Sequence, residues 1–498
     1  MIVSCAEMRA AEEQAFSLGA SAENLMDEAA GGIAAAIWQF FPKPGTLVLD
    51  LGKGNNAGDT LVVGRILAQQ GWRVWLRRSS SSLGALAQRK LDQLAQAATD
   101  ATKPADFLGG AGPLVLVDGL VGIGARGALQ DWAARAAIEI NSIRRDHHAS
   151  VVAIDIPSGV DGDMGTIYPD AVEADLTCTI GAPKSGLLSD TATSHVGRIC
   201  LVPLHMINER SLLGGPNTAR LLTPDGLVPH LPHRGFDFHK GEAGRVSIVA
   251  GSKGMLGAAC LCAEGALRAG AGLITLFALE EDYPILASRA PAEVLVRPVA
   301  SYLEVLDHRA DALAIGPGLG LARKDEVAQL CRTAEVPAVL DADALNALAA
   351  EGGIPAMAGP RLLTPHPGEM ARLVQGDDSD NDRATTARNF AQAHPDHSLL
   401  LKGARTIIAT DSEPLAYNTT GTPGMATGGM GDVLSGVAAA LLARNVSPHQ
   451  AGCLGSWLLG RAGERAISEA GDSVESVSPS HLLAQLGGAF QDLRERVF

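Results

Sequence analysis

Short apolar runs alternate with helix-period segments along the whole chain. In the first part the runs are Thr46–Leu51 (TLVLDL), Leu114–Asp118 (LVLVD) and Val151–Ile156 (VVAIDI), and each ends at a loop rich in Gly or Asp. Between them lie stretches such as Thr60–Gln70, where Val62, Val63, Ile66 and Leu67 fall on one helical face. Strands buried on both faces and alternating with helices predict a parallel sheet in an α/β domain. Around 205–235 the period fails in a segment rich in Gly, Pro and His, which places a junction near 215–222. The rhythm then restarts at Arg245–Ala250, Gly272–Phe277, Ala312–Ile315, Ala338–Asp341, Leu399–Lys402 and Thr406–Ala409. The chain reads as two α/β domains, 1–215 and 222–498, without an internal repeat. The serine run Ser79–Ser82 reads as a loop.

Composition narrows the class. A chain of 498 residues has ample length to bury full-sized cores. Lys plus Arg is 40 and Asp plus Glu is 55, a net charge of −15, which argues against nucleic acid or anionic membrane as a default partner. Hydrophobic content of 46% with 19% charged residues excludes a disordered chain. Seven cysteines with no Cys-x-x-Cys do not form a disulfide framework. The start, MIVSCAEMRAAEEQAF, turns acidic by Glu7 and has no apolar stretch of signal-peptide type. Apolar runs reach about a dozen residues where a membrane span needs about 20. A cytoplasmic, soluble protein is expected.

The chemistry sits where strands run into loops. TLVLDL leads into Gly52-Lys53-Gly54-Asn55-Asn56-Ala57-Gly58-Asp59 and then a helix. In a parallel sheet, ligands bind beyond the carboxyl ends of the strands. Glycines let the backbone approach a phosphate, and a helix N-terminus offers free N–H groups. Asp59 could instead be a helix cap. The paired asparagines exceed what a turn needs. LVLVD ends in Asp118 and a loop with the spacing Gly122-x-Gly124-x-x-Gly127. That spacing alone is a weak dinucleotide signal, and no acidic residue closes a following strand about 20 residues on. It reads as a glycine loop touching a phosphate. VVAIDI ends in Asp155-Ile156-Pro157-Ser158. Asn56, Asp118, Asp155 and Ser158 thus all fall at strand carboxyl ends and can converge. Oxygen-only side chains suit a hard cation or a proton-transferring carboxylate, although each alone could be a cap or a turn residue.

These motifs, with MRAAEEQAF and LMDEAAGG before them and AIDIPSGVDGD after, resemble the NAD(P)H-hydrate epimerase domain over about residues 1–205. The resemblance implies a Rossmann-like three-layer α/β/α domain. It implies that Asn55, Asn56, Ala57, Gly58 and Asp59, the loop Gly122, Ile123, Gly124, Ala125, Arg126, Gly127 and Ala128, and Asp155 hold the hydrated nicotinamide nucleotide. It implies a potassium ion on Asn56, Asp118 and Ser158. Thr60 departs from the family, which often has Gly there.

In the second half, Gly251-Ser252-Lys253-Gly254-Met255-Leu256-Gly257-Ala258 follows a strand and opens a helix, a place for close ligand approach. His366 stands between Pro365 and Pro367, held at a strand end. Gly424, Gly428, Gly429 and Gly431 precede Asp432 and run into the helix Val433–Ala443. Glycines at a helix N-terminus make an anion hole, beyond what a capping Asp requires. HKGEAG, AGSKGMLGAA, ALRAGAGL, IGPGLG, DADALN, TPHPGEM, LKGARTII and GMATGGMGDVLSG occur in order, and together they resemble the ADP/ATP-dependent NAD(P)H-hydrate dehydratase domain over about 222–498. The resemblance implies a ribokinase-like α/β fold. It implies nucleotide contacts at Lys402, Gly403, Ala404, Arg405, Thr406 and Gly431, and hydrate contacts at Ala258, Gly318, His366 and Asp432. Met430 stands where many relatives have Thr, which an anion hole built of backbone amides tolerates.

The two halves make sense together as a repair system for NADHX and NADPHX, the hydrated forms of NADH and NADPH. Asp155 is the candidate proton shuttle for interconverting the epimers at C6. Asp432 is the candidate general base for phosphorylating the hydroxyl of the S epimer from ADP or ATP, with magnesium accompanying the nucleotide. A homo-oligomer is expected, with no nucleic-acid or membrane partner. Two rivals remain at this point: an ordinary ribokinase-like kinase for a vitamin or sugar alcohol, and a first domain that binds ligand only to regulate the second.

Overall fold

The computed structural model describes residues 1–80, 82–207, 219–374 and 382–497. It divides into two compact units, Met1–Leu221 and Leu222–Val497. Residue 215 and the stretch 215–218 of the expected junction lie outside the described residues, as does Ser81 of the serine run.

Among the described residues the sheet of the first unit has seven strands: β1 (Thr46–Leu51), β2 (Arg73–Arg78), β3 (Ala98–Asp100), β4 (Leu114–Gly119), β5 (Ser150–Ile154), β6 (Leu176–Ile180) and β7 (Arg198–Val202). Their order is β3-β2-β1-β4-β5-β6-β7, and every pairing is parallel. Alternation along β1 explains the layers. Leu47, Leu49 and Leu51 share a buried cluster with Ile33 and Ile37 of the helix Ala22–Phe40 and with Val63 and Leu67 of the helix Asn55–Gln69. Val48 faces the other way, onto Ala137 and Ile140 of the helix Asp131–His147. Asp50 is the exception in this apolar strand. It is fully buried, and the Arg77 guanidinium lies 3.1 Å away. Burial pushes its pKa to about 7 against the pull of Arg77.

In the second unit the strands Leu295–Val299, Leu273–Leu279, Arg245–Val249, Ala312–Ile315, Ala338–Leu340, Arg361–Leu363 and His397–Leu401 lie side by side in that order, all parallel. Ile407–Thr410 and Glu413–Tyr417 then add antiparallel. The sequence pattern predicts a parallel sheet and does not anticipate this change of direction. Only five residues separate His397–Leu401 from Ile407–Thr410, too few for a helical crossover. The helices Leu256–Arg268, Met430–Leu442, Pro448–Ser468 and Pro479–Arg494 contribute Cys262, Val433, Trp457 and Leu486 to one apolar core over this sheet.

Candidate functional site

Each sheet has one place where the strand order reverses. In the first unit it lies between β1 and β4, so the loops after these strands diverge and leave a crevice. The two loops pass very close. A Cβ on Gly52 would lie 1.8 Å from the Leu120 carbonyl oxygen, and one on Gly122 would lie 2.3 Å from Asn56 Oδ1. Glycine is required at both by space alone.

The helix after β1 begins at Asn55, with Gly54 as its N-cap and no side-chain cap. Of the stretch expected as a loop, Asn55 to Asp59 is therefore the first turn and a half of the helix. Asp59 lies inside that helix and is buried, so it is not a cap. Gly58 makes room for Met26, whose Cε would lie 2.4 Å from an added Cβ. Thr60, the departure from the family pattern, is buried, and its hydroxyl donates to the Asn56 carbonyl at 2.6 Å. It ties the turn rather than opening it.

Asp118 and Ser158 meet directly. Asp118 Oδ1 accepts from Ser158 Oγ at 2.7 Å and from the Leu120 amide at 3.1 Å, and Oδ2 accepts from the Ser158 amide at 2.8 Å. Ser158 Oγ accepts from the Val121 amide at 3.1 Å. Burial raises the Asp118 pKa, and the bonds from Ser158 and Leu120 oppose that rise. Asn56 Nδ2 donates to the Ile154 carbonyl at 3.0 Å, which leaves its Oδ1 beside Gly122. One carboxylate and two neutral oxygens fit a singly charged cation by donor chemistry. Asn55, Gly124, Ala125, Arg126 and Ala128 are exposed at the rim of this crevice, and Ala57 is buried beneath it.

Asp155 follows β5 with a left-handed backbone, φ +68°. Its Oδ1 accepts from the Ile180 amide at 3.0 Å and from the buried Lys184 ammonium, which also donates to the Ile180 carbonyl at 2.8 Å. Among the described residues none donates to Oδ2. Asp59 lies within electrostatic reach of Asp155. Burial, then the charges of Asp155, Glu12 and Asp27, hold its pKa well above the ordinary carboxyl range. Burial likewise raises Glu12, with Lys184 opposing.

In the second unit the order reverses between Arg245–Val249 and Ala312–Ile315. Gly318, at φ +63°, would place a Cβ 2.9 Å from Ala258 Cβ and 2.8 Å from the Met255 carbonyl oxygen. Ala258 and Gly318 therefore share one wall. Asp341 follows the strand Ala338–Leu340. Its Oδ1 accepts from Lys402 Nζ at 2.8 Å and its Oδ2 from Ser435 Oγ at 2.9 Å. Lys402 Nζ is also 3.8 Å from Glu369 Oε2. Burial works against the charge of Lys402, but Asp341, Glu369 and Asp432 together hold its pKa above the ordinary value. The sequence reading leaves a nucleotide as the anion this lysine needs. The structure supplies a protein carboxylate.

The helix Met430–Leu442 opens at Gly429, whose φ of +96° turns the chain into it. Gly431 faces the ion pair: an added Cβ would lie 3.4 Å from Asp341 Oδ2 and 3.5 Å from Lys402 Nζ. Asp432 is next. Burial, then the charge of Asp341, push its pKa to about 6, with Lys402 opposing. His366 is exposed. Its Nδ1 accepts from the Gly368 amide at 3.0 Å, its Nε2 is 3.5 Å from Glu369 Oε1, and Glu369 leads on to Lys402. Gly403 and Ala404 are exposed, while Arg405 is buried. Thr406 Oγ1 donates to the Gly403 carbonyl at 3.4 Å. Arg383 braces this loop from below by donating to the carbonyls of Leu401, Lys402 and Arg405 at 3.0, 3.2 and 3.0 Å.

The sequence reading does not single out Lys184, Asp341, Glu369, Ser435 or Arg383. Asp341, Glu369 and Ser435 stand inside motifs quoted for the resemblance, Asp341 at a strand end, and that position is the signal. Lys184 follows β6, a strand that the pattern does not mark.

Comparison with known proteins agrees with both halves. The NAD(P)H-hydrate dehydratase family matches residues 246–486, and the family described as YjeF-related protein N-terminus matches 22–186. The chain is 36% identical over 477 residues to the bifunctional NAD(P)H-hydrate repair enzyme Nnr of Moorella thermoacetica, covering 91% of this chain and 88% of that one. It is 34% identical to the Coxiella burnetii enzyme of the same name, covering 94% and 95%. Among solved structures, the ADP/ATP-dependent NAD(P)H-hydrate dehydratase of Bacillus subtilis, co-crystallised with ATP and Mg2+, is 30% identical with a TM-score of 0.50. That match covers 56% of this chain and 100% of that one.

Proposed function

We propose, for a chain that belongs to the family of bifunctional NAD(P)H-hydrate repair enzymes, that its two units act in turn on hydrated NADH and NADPH. The first unit interconverts the R and S hydrates. The second returns the S hydrate to the reduced nucleotide, with ADP or ATP as the phosphoryl donor.

The observation that carries the second activity is Asp432, set at the mouth of a glycine-built helix N-terminus. Hydroxide is a poor leaving group at neutral pH. Asp432 takes the proton of the C6 hydroxyl, and that oxygen attacks the terminal phosphorus of the nucleotide. The bond from phosphorus to the bridging oxygen breaks, and the amides of Gly429, Met430 and Gly431 meet the charge on the transferring group. The C6–O bond then breaks with phosphate as leaving group while C5 loses a proton, which restores the ring double bond. Lys402, Gly403, Ala404, Arg405, Thr406 and Gly431 form the nucleotide side, and Ala258, Gly318 and His366 the hydrate side. Magnesium is assigned to the nucleotide, and Lys402 is shared between Asp341 and Glu369.

In the first unit Asp155 moves the proton. The C6 hydroxyl gives up its proton, the C6–N1 bond opens to an aldehyde with N1 protonated, and closure on the other face yields the other epimer. Asn55, Asn56, Ala57, Gly58, Asp59 and the loop Gly122–Ala128 cradle the nucleotide. Asn56, Asp118 and Ser158 would hold potassium, which when bound supplies a fixed positive charge for the phosphate and sugar oxygens. The protein is proposed to act in the cytoplasm as a homo-oligomer, without nucleic acid or membrane. Among the described residues no helix is long and apolar enough to cross a membrane.

The test supplies separated R and S hydrates of NADH with ADP or ATP and follows the absorbance of the reduced ring. Recovery from both epimers with nucleotide, and interconversion without it, is the expected result. A stable phosphorylated product in place of reduced nucleotide would make the second unit an ordinary kinase.

A further inference from the structure

Asp341 makes no part of the expected contact set, yet it sits at the centre of the second site. Its side chain is buried at the end of the strand Ala338–Leu340. One oxygen holds Lys402 and the other holds Ser435. The same hydroxyl lies 3.0 Å from the Gly431 carbonyl, so its one proton is shared between that carbonyl and Asp341. The opening turn of the helix Met430–Leu442 is thereby tied to the strand end through Ser435. That turn carries both the amides of the anion hole and Asp432.

We propose that Asp341 is a positioning residue for nucleotide-dependent dehydration: it fixes the turn that presents Asp432 and holds Lys402 beside the transferring group. The inference rests on the reading of Asp432 as general base. The Asp341 charge also acts on Asp432 through space. It is the second cause, after burial, that keeps the Asp432 proton in place up to about pH 6. The charged and titratable groups around Asp432 come from four elements. Asp341 ends its strand, Lys402 follows His397–Leu401, and Glu369 stands behind Lys402 on the helix Pro367–Val374. Cys262 faces it from Leu256–Arg268, with a thiol that burial, then Asp432 and Asp341, push well above its ordinary pKa. Of these only Lys402 is positive, and Asp341 offsets it. Without the Asp341 charge, burial alone opposes the pull of Lys402 on Asp432.

Asp341→Asn in the full chain tests this, with S hydrate and ADP or ATP across pH 4.5 to 8.5. The acid limb of kcat should move to lower pH by about one unit, the lower end of the effect of a neighbouring like charge. The plateau should fall by about tenfold or more, because the base is weaker and the turn is looser. Ser435→Ala keeps every charge. It should lower kcat, leave the KM for nucleotide unchanged and leave the acid limb in place. An acid limb in Asp341→Asn at the wild-type pH overturns the proposal, and so does a wild-type kcat in Ser435→Ala. The second arm decides if Asp341→Asn does not fold. Failure of the underlying reading looks different: Asp432→Asn would then turn over with the wild-type acid limb.

Discussion

Asp432→Asn removes a charge that the fold holds at a cost, so activity and stability should move in opposite directions. The carboxyl loses its proton near pH 6 in place of the ordinary 3.8. At pH 7 it is about nine-tenths ionised, as a general base must be. Holding that charged form costs about 3 kcal/mol, at about 1.36 kcal/mol per pH unit. Among the described residues none donates a hydrogen bond to this carboxyl, so an amide of the same shape loses no partner. The variant should therefore be more stable than the wild type by up to about 3 kcal/mol at neutral pH. The sign fixes the window. The folded pKa is raised, so between pH 3.8 and 6 the folded state binds more protons than the unfolded chain, and wild-type stability falls as pH rises. The gain from the amide should vanish near pH 4, grow through that window and level off above pH 6. Meanwhile recovery of reduced nucleotide from the S hydrate should fall by about 10²-fold or more, with epimerisation intact. Urea unfolding at several pH values and the absorbance assay measure the two effects on one preparation. A variant that still turns over near the wild-type rate refutes the base assignment. A variant that loses stability at pH 7.5, or gains the same amount at pH 4, refutes the electrostatic argument.

Three further substitutions separate the sites. Lys184→Met leaves the Asp155 carboxylate buried without its cation, so the first unit should lose about 3 kcal/mol or more and epimerisation should fall by at least about tenfold; unchanged consumption of the R hydrate would remove Asp155 from the mechanism. Asp118→Ala should abolish the response of epimerisation to added potassium, by about tenfold or more in rate, while dehydration of the S hydrate proceeds; equal use of both epimers by the variant would return Asp118 to a turn residue. Lys402→Ala should weaken ADP binding by about tenfold, the value of about 1.4 kcal/mol for a lost charged contact, as read by calorimetric titration; an unchanged dissociation constant would leave Lys402 serving Asp341 and Glu369 alone.

The fold was legible where burial is uniform. Strands such as TLVLDL and VVAIDI are apolar because helices cover both faces, and that signal survives without any structure. It fades in RVWLRR, the second strand of the first sheet, which has exposed ends and three arginines. It also fades in LVRPV, an edge strand largely exposed to solvent. The antiparallel pair Ile407–Thr410 and Glu413–Tyr417 was marked only in its first member. Pattern gives the period of a strand and says nothing of its direction. The start of the helix after β1 was placed late because its first turn, NNAGD, has no apolar periodicity: that turn faces the crevice.

The site was legible for the same reason that it was incomplete. Residues at strand carboxyl ends can be identified from sequence, and in each sheet the reversal of strand order brings two such loops together, Asn56 with Gly122 and Ala258 with Gly318. What sequence position cannot supply is the counter-charge. Asp155 depends on a lysine 29 residues further on, and Lys402 on an aspartate 61 residues before it. These partners are set by which strands are neighbours. The two sites surround the proposed proton carriers differently. The first site gives Asp155 a buried ammonium and an amide, while burial and nearby carboxylates hold the pKa of Asp59 well above the ordinary carboxyl range. The second commits its lysine to Asp341 and Glu369 and leaves Asp432 with a proton affinity close to neutrality. An epimerisation that must both take and return a proton needs a donor and an acceptor together. A phosphoryl transfer that removes one proton from a hydroxyl needs a single base poised to accept it. The placement of two lysines, neither a candidate acid or base, separates the two chemistries.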